Sequence, residues 1–206
     1  MCYIVPFTRG QGLDIVCASY KPFPHFIGVD DGTDTRLFGH PINPDVRCDA
    51  RELKFCASES MDFAYSSHTL EHIVDYKAAL KEWWRVVRVG GHLVLYLPHK
   101  DFYPNIGEKG ANPDHKHDFL PQDIVEAMKE CGGWDLLLNE ERDVENEYSF
   151  LQVFRKRGDS EQTESWRNQK PAKTCAIFRI GAWGDALQMT SILKGLKDQG
   201  YHITII

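Results

Sequence analysis

Short apolar runs alternate along the first 157 residues with stretches whose apolar positions recur every three or four. The runs 12–17 (GLDIVC), 26–30 (FIGVD), 45–49 (DVRCD), 61–66 (MDFAYS) and 92–97 (HLVLYL) have the length of strands. The last is almost unbroken, as in a strand covered on both faces. "DYKAALKEWWRVVRVGG" sets Tyr76, Ala79, Leu80, Trp83 and Val87 on one helical face, with Lys77, Lys81, Arg85 and Arg88 largely opposite. Asp75 is placed to cap its start and Gly90-Gly91 to end it. "PQDIVEAMKECGG" groups Ile124, Ala127, Met128 and Cys131, with Pro121 in its first turn and Gly132 as a stop. Strands alternating with helices predict a parallel α/β sheet, which 134–138 and 147–157 finish as an antiparallel pair.

"RGDSEQTESWRNQK" has no apolar period and is rich in charge and amide, so 158–171 reads as a linker between domain 1–157 and a segment 172–206. That segment restarts a pattern of strand, glycine-containing turn, helix and strand. One such βαβ unit cannot bury its own faces, so it is expected to be the N-terminal fragment of a larger domain, prone to self-association.

Composition narrows the picture only a little. With 24 Lys and Arg against 30 Asp and Glu, the net charge of −6 gives no electrostatic reason to expect nucleic acid. No apolar run approaches the roughly 20 residues of a membrane span. The six cysteines, at 2, 17, 48, 56, 131 and 175, form no Cys-x-x-Cys pair. They read as reduced thiols of a cytoplasmic protein.

Ligands of a parallel sheet lie at the carboxyl ends of its strands. There stand Val16-Cys17-Ala18, Asp30, Asp49 with Ala50, Ser66-Ser67-His68, and Pro98-His99. An acid closing the second strand is placed to accept from a ribose diol, and Asp49 could take an exocyclic amine. Two acids at successive strand ends therefore point to a nucleoside site. The polar loop 99–119 offers Tyr103, His115, His117 and Asp118 to a substrate and could act as a lid. His68 and His72 have the i,i+4 spacing of a helical metal pair, but no cysteine is spaced to join them. No metal is expected: His72 would pack and cap, and His115 and His117 would be loop surface.

The series Asp49, Leu53-Lys54-Phe55, Ser60-Met61-Asp62, His68-Thr69-Leu70-Glu71-His72 and Arg85-Val86-Val87-Arg88-Val89-Gly90-Gly91-His92-Leu93 resembles, in order, the class I S-adenosylmethionine-dependent methyltransferases of the type 11 group. The similarity covers about residues 10–157. It implies a Rossmann-like fold with a mostly parallel seven-stranded sheet, plus the C-terminal βαβ fragment. It also implies S-adenosylmethionine as cofactor, held by Asp14, Val16, Cys17, Ala18, Asp30, Asp49, Ala50, Ser66 and Ser67. His68, His99 and His117 are the candidate bases for an oxygen acceptor.

One departure stands out. The family's first turn is Gly-x-Gly, and here Val16 and Ala18 each add a Cβ, with β-branched Val resisting positive φ. Pro22 and Pro24 make a full helix between the first two strands unexpected. Cofactor binding is expected to be weakened, and the rival reading is a catalytically silent module that scaffolds a fused glycosyltransferase.

That second partner rests on "IFRIGAWGDALQMTSILKGLKDQGYHITII", which resembles the start of the family 9 (heptosyltransferase-like) glycosyltransferases through Arg179, Gly181, Gly184 and Asp185. The resemblance implies a parent chain longer than these residues. It also suggests a sugar or glycolipid precursor as the small-molecule methyl acceptor.

Overall fold

The structure, a computed structural model, describes residues 2–18, 21–33, 42–144, 147–158, 174–177 and 202–205. It divides into two compact units, Met1–Ser160 and Glu161–Ile206. The first is built on one sheet: β1 (Gly12–Ile15), β2 (Phe26–Asp30), β3 (Val46–Arg47), β4 (Met61–Ser67), β5 (Val87–Pro98), β6 (Trp134–Val144) and β7 (Glu147–Lys156). Their order is β3-β2-β1-β4-β5-β7-β6. The first five pair in parallel and the last two are antiparallel, as the sequence predicts. Strand order reverses at β1, whose neighbours are β2 and β4. Such a switch point opens a crevice at the strands' carboxyl ends.

One face carries α1 (Tyr76–Val86) and α2 (Pro121–Met128). Leu80, Trp83, Ile124 and Met128 pack there on Leu13, Ile15, Val29, Leu93 and Phe154. Asp75 caps α1 by accepting from the Ala78 N–H at 3.0 Å. The other face is thinner: Ile4 from a 3₁₀ turn over Cys2–Phe7 joins Phe26, Phe63, Tyr65, Val94, Leu151 and Val153.

Two local expectations need correcting. Gly90-Gly91 do not end α1, which stops at Val86 and runs straight into β5. Gly91 is needed for a close strand approach instead, since a Cβ there would lie 2.6 Å from the Asp62 carbonyl. α2 is shorter than its pattern and tightens into a 3₁₀ turn over Lys129–Cys131 before Gly132, at φ 85°. Among the described residues no helix connects β1 to β2, in keeping with Pro22 and Pro24.

In the second unit β8 (Thr174–Ile177) and β9 (His202–Ile205) pair in parallel. Arg179, Gly181, Gly184, Asp185 and residues 159–171 of the linker lie outside the described residues.

Candidate functional site

The rim begins where β1 ends. Val16 and Ala18 both take left-handed backbone, at φ 61° and 47°, the conformation in which glycine is at ease and L side chains are strained. Val16 thus takes the positive φ that its β-branched side chain resists. The N–H groups of Val16 and Cys17 both donate to the Val29 carbonyl, at 2.8 and 3.1 Å, and pin the turn against β2. Cys17 packs beneath it, close over Gly28, and burial pushes its thiol up to about 12. The Val16 side chain projects outward, 37% exposed.

Asp30 is buried, and its carboxylate accepts from the N–H of Ala18 at 3.1 Å and of Gly32 at 2.8 Å. It therefore staples the turn after β1 to the turn after β2. Asp14 lies in register with Tyr65 of β4, so the two side chains share a face. It is buried, burial pushes it up to about 7, and its Oδ2 has no hydrogen-bond partner. Asp49 stands on the same rim beyond β3, but Arg51 grips both of its oxygens and holds the carboxyl below the usual carboxylate range. Ala50 turns its carbonyl to the Trp83 indole N–H at 2.8 Å. Ser66 is buried with an unpartnered Oγ, and Ser67 follows at the end of β4.

Past β4 the chain turns at His68, itself at φ 48°, into a 3₁₀ turn over Leu70–His72 that buries Glu71 completely. His68 Nε2 lies 3.1 Å from Ser149 Oγ of β7, and its ring packs on Tyr96 and Tyr148. Burial, with His115 and His72 nearby, brings His68 down to about 4. Burial pushes Glu71 up to about 8.

The loop 99–119 folds down onto this turn, because the Lys116 and His117 N–H groups donate to the Glu71 carbonyl at 2.7 and 3.2 Å. His115 is thereby buried against Glu71, not on the loop surface where the sequence pattern puts it. His117 Nε2 meets the Ile73 and Val74 carbonyls and its ring stacks on Phe119. His99 is buried, stacked on Phe102, with Nδ1 accepting from the Asp101 N–H. Tyr103 lies against His115 and Tyr148, and Asp118 accepts from the Ile106 N–H. Of the three histidines singled out as bases, His68 faces Glu71 and His99 faces Glu141, each at 3.8 Å, while His117 holds the loop.

Sequence reasoning missed Glu71. The available signal was its place in the series His68-Thr69-Leu70-Glu71-His72, which the family resemblance carries without assigning Glu71 a role. Two clefts lie elsewhere, one lined by Val5, Thr8, Arg9, Gly10, Phe23 and His25, the other by Arg51, Glu52, Lys54, Cys56, Glu82 and Arg85.

Residues 12–95 match the family model described as "Methyltransferase domain", a span running from β1 into β5. The first unit therefore contains the span that matches a methyltransferase domain. No curated protein matches the chain. Among solved structures, the domain resembles a candidate methyltransferase of Bacillus halodurans, with TM-score 0.55, 16% identity, and 76% of this chain and 98% of that one covered. It also resembles an S-adenosylmethionine-dependent methyltransferase of Archaeoglobus fulgidus, with TM-score 0.53, 17% identity, and coverage of 74% and 89%. At such identities the likeness concerns the fold. Among the described residues no helix is long and apolar enough to cross a membrane.

Proposed function

We propose that the methyltransferase domain binds S-adenosylmethionine at the β1–β2 rim and methylates a small molecule. The observation that carries this reading is the left-handed backbone at Val16 and Ala18, kept although neither residue favours it. Strain of this kind persists only where the surroundings impose it. Here the Val29 carbonyl and the Asp30 carboxylate do so. The donor set agrees. The orphaned Oδ2 of Asp14 is suited to an ammonium group, which would also offset the burial of its charge. Each Asp30 oxygen accepts one backbone N–H and retains lone-pair capacity for a ribose hydroxyl.

The cofactor supplies a sulfonium-activated methyl group. The protein's part is to align an acceptor in line with it and to remove a proton where the acceptor is a hydroxyl. His68 serves as the base. Its depressed proton affinity keeps the imidazole neutral at pH 7, and Ser149 fixes its orientation. A sugar or glycolipid precursor is the acceptor class we favour, on the glycosyltransferase-like sequence of 172–206.

A second reading is favoured by a separate observation. Arg51 occupies Asp49, and the Val16 side chain stands over the turn. In that reading the domain is a silent module that positions a fused glycosyltransferase.

Calorimetric titration with S-adenosylhomocysteine separates the two. Micromolar binding by the wild-type chain is expected, tightening in Val16→Gly/Ala18→Gly by roughly 10-fold or more, equivalent to about 1.4 kcal/mol. Binding by the double variant alone would establish the silent module, and binding by neither would end both readings of the rim.

A further inference from the structure

Beside the cofactor rim lies a cluster of which the proposed methyl transfer uses only His68. Glu71 Oε1 is approached by three imidazole nitrogens, His68 Nδ1, His72 Nε2 and His115 Nε2, each at 3.8 Å. Glu71 is 0% exposed, and neither carboxylate oxygen has a hydrogen-bond partner. Hydrogen bonds from imidazole N–H to carboxylate would close to about 2.7–2.9 Å. The groups have converged on one point without bonding to one another. The separation instead fits an ion between them. The ligand atoms of Glu71, His72 and His115 all lie within 4.8 Å of one another. Zn²⁺ held at about 2.0–2.2 Å from each would set them about 3.4 Å apart. The two Glu71–histidine separations need contract by only about 0.4 Å to reach that spacing.

We infer that Glu71, His72 and His115 form a binding site for a divalent transition-metal ion of the zinc type. Two imidazole nitrogens and one carboxylate oxygen are donors of borderline softness, suited to Zn²⁺ or Co²⁺ and poorly suited to Ca²⁺ or Mg²⁺. The surrounding contacts aim the ligands as metal sites require. His72 Nδ1 lies 3.3 Å from the Asp114 carbonyl, so the ring donates there and turns the Nε2 lone pair toward Glu71. The two N–H groups donated to the Glu71 carbonyl fasten the His115 segment to the turn bearing the other two ligands. The His72 and His115 rings meet edge to face, 4.8 Å between centroids. A solvent oxygen completes the coordination. The 32% exposure of the His72 side chain gives the ion a way in.

The i,i+4 spacing of His68 and His72 is not the source of the site. Leu70–His72 is a single 3₁₀ turn, not an α-helix, and the third ligand comes from a loop more than forty residues on. The inference does not depend on cofactor binding at the rim.

The test uses the untagged full chain, stripped with a chelator and titrated calorimetrically with Zn²⁺, then with Co²⁺ followed by visible absorption. One equivalent is expected at micromolar or tighter affinity, Zn²⁺ displacing Co²⁺, with no heat from Mg²⁺ or Ca²⁺. Glu71→Gln, His72→Asn and His115→Asn should each weaken binding by about 100-fold or more. His25→Asn, whose Nε2 meets the Thr8 carbonyl, should leave it unchanged. Zn²⁺ should raise the melting temperature of the wild type but of none of the three ligand variants. Circular dichroism shows which variants fold; should Glu71→Gln fail to, the histidine variants decide. No binding by the wild type overturns the site. Equal binding by folded ligand variants also overturns it, by assigning the ion to other histidines among the chain's nine.

Discussion

Asp14 shows how one residue reports on its surroundings. A carboxyl ordinarily near 3.8 is pushed by burial to about 7, with Lys21 opposing the shift and Asp30 adding to it. Below about pH 4 the folded and unfolded chains both hold this proton, and its contribution to stability is fully present. Between about 4 and 7 the unfolded chain releases the proton while the folded chain keeps it, so stability falls as pH rises. Above the folded value the loss is complete, and three units correspond to roughly 4 kcal/mol as an upper figure. Asp14→Asn has no proton to lose. Urea unfolding at pH 4.5, 6 and 8 should find the variant gaining on the wild type with rising pH, by about 1–4 kcal/mol at pH 8. Parallel curves would mean that Asp14 is solvated. If an ammonium group binds Oδ2, S-adenosylhomocysteine affinity should also rise across pH 6–8 in the wild type and stay flat in Asp14→Asn.

At the scale of the element, the turn after β1 and the strand β2 are built as one unit. A Cβ at Gly28 would lie 2.8 Å from Cys17 Sγ, 3.3 Å from Cys17 Cβ and 3.1 Å from Lys21 Cδ. Gly28 is thus the absence of a side chain that lets the strained turn settle onto β2. Gly28→Ala should destabilise by about 1–3 kcal/mol, the usual range for overpacking. Cys17→Ala removes the nearest atom, so in the Gly28→Ala background it should recover part of that loss. Chemical denaturation of the four chains of this cycle checks the coupling. Strict additivity would show that Cys17 does not rest on Gly28. In the sequence the glycine at 28 looks like any residue of an apolar run, because only the fold brings the turn after β1 against it.

At the scale of the whole molecule, the sheets of the two units are described to different extents. The first sheet has α1 and α2 over one face and a 3₁₀ turn over the other. Among the described residues β8 and β9 form a two-stranded sheet, and a lone strand pair is marginal in water. Their outer edges are unpaired among the described residues and are open to a second copy of the chain. Sedimentation should therefore show concentration-dependent association of the full chain and a monomer for a chain ending at Ser160. Monomers in both cases, at high concentration, would refute this account of the second unit.

The sequence by itself determined the sheet and its main helices. Period-2 and period-3.6 patterns are local, and the strand ends that they fix place Asp30 and Asp49 on one rim. It offered His68, His99 and His117 as bases without ranking them. It misjudged what depends on contact at a distance. The backbone at Val16 and Ala18 is held by a carbonyl and a carboxylate some twelve or thirteen residues on, against the residues' own preference. Gly90-Gly91 serve a strand crossing rather than a helix stop. Glu71, His72 and His115 come together only because a 3₁₀ turn and a distant loop share two hydrogen bonds. Burial and proton affinity are properties of such assemblies. Local pattern carries the elements, and tertiary packing alone decides which polar side chains lose their water and what they meet instead.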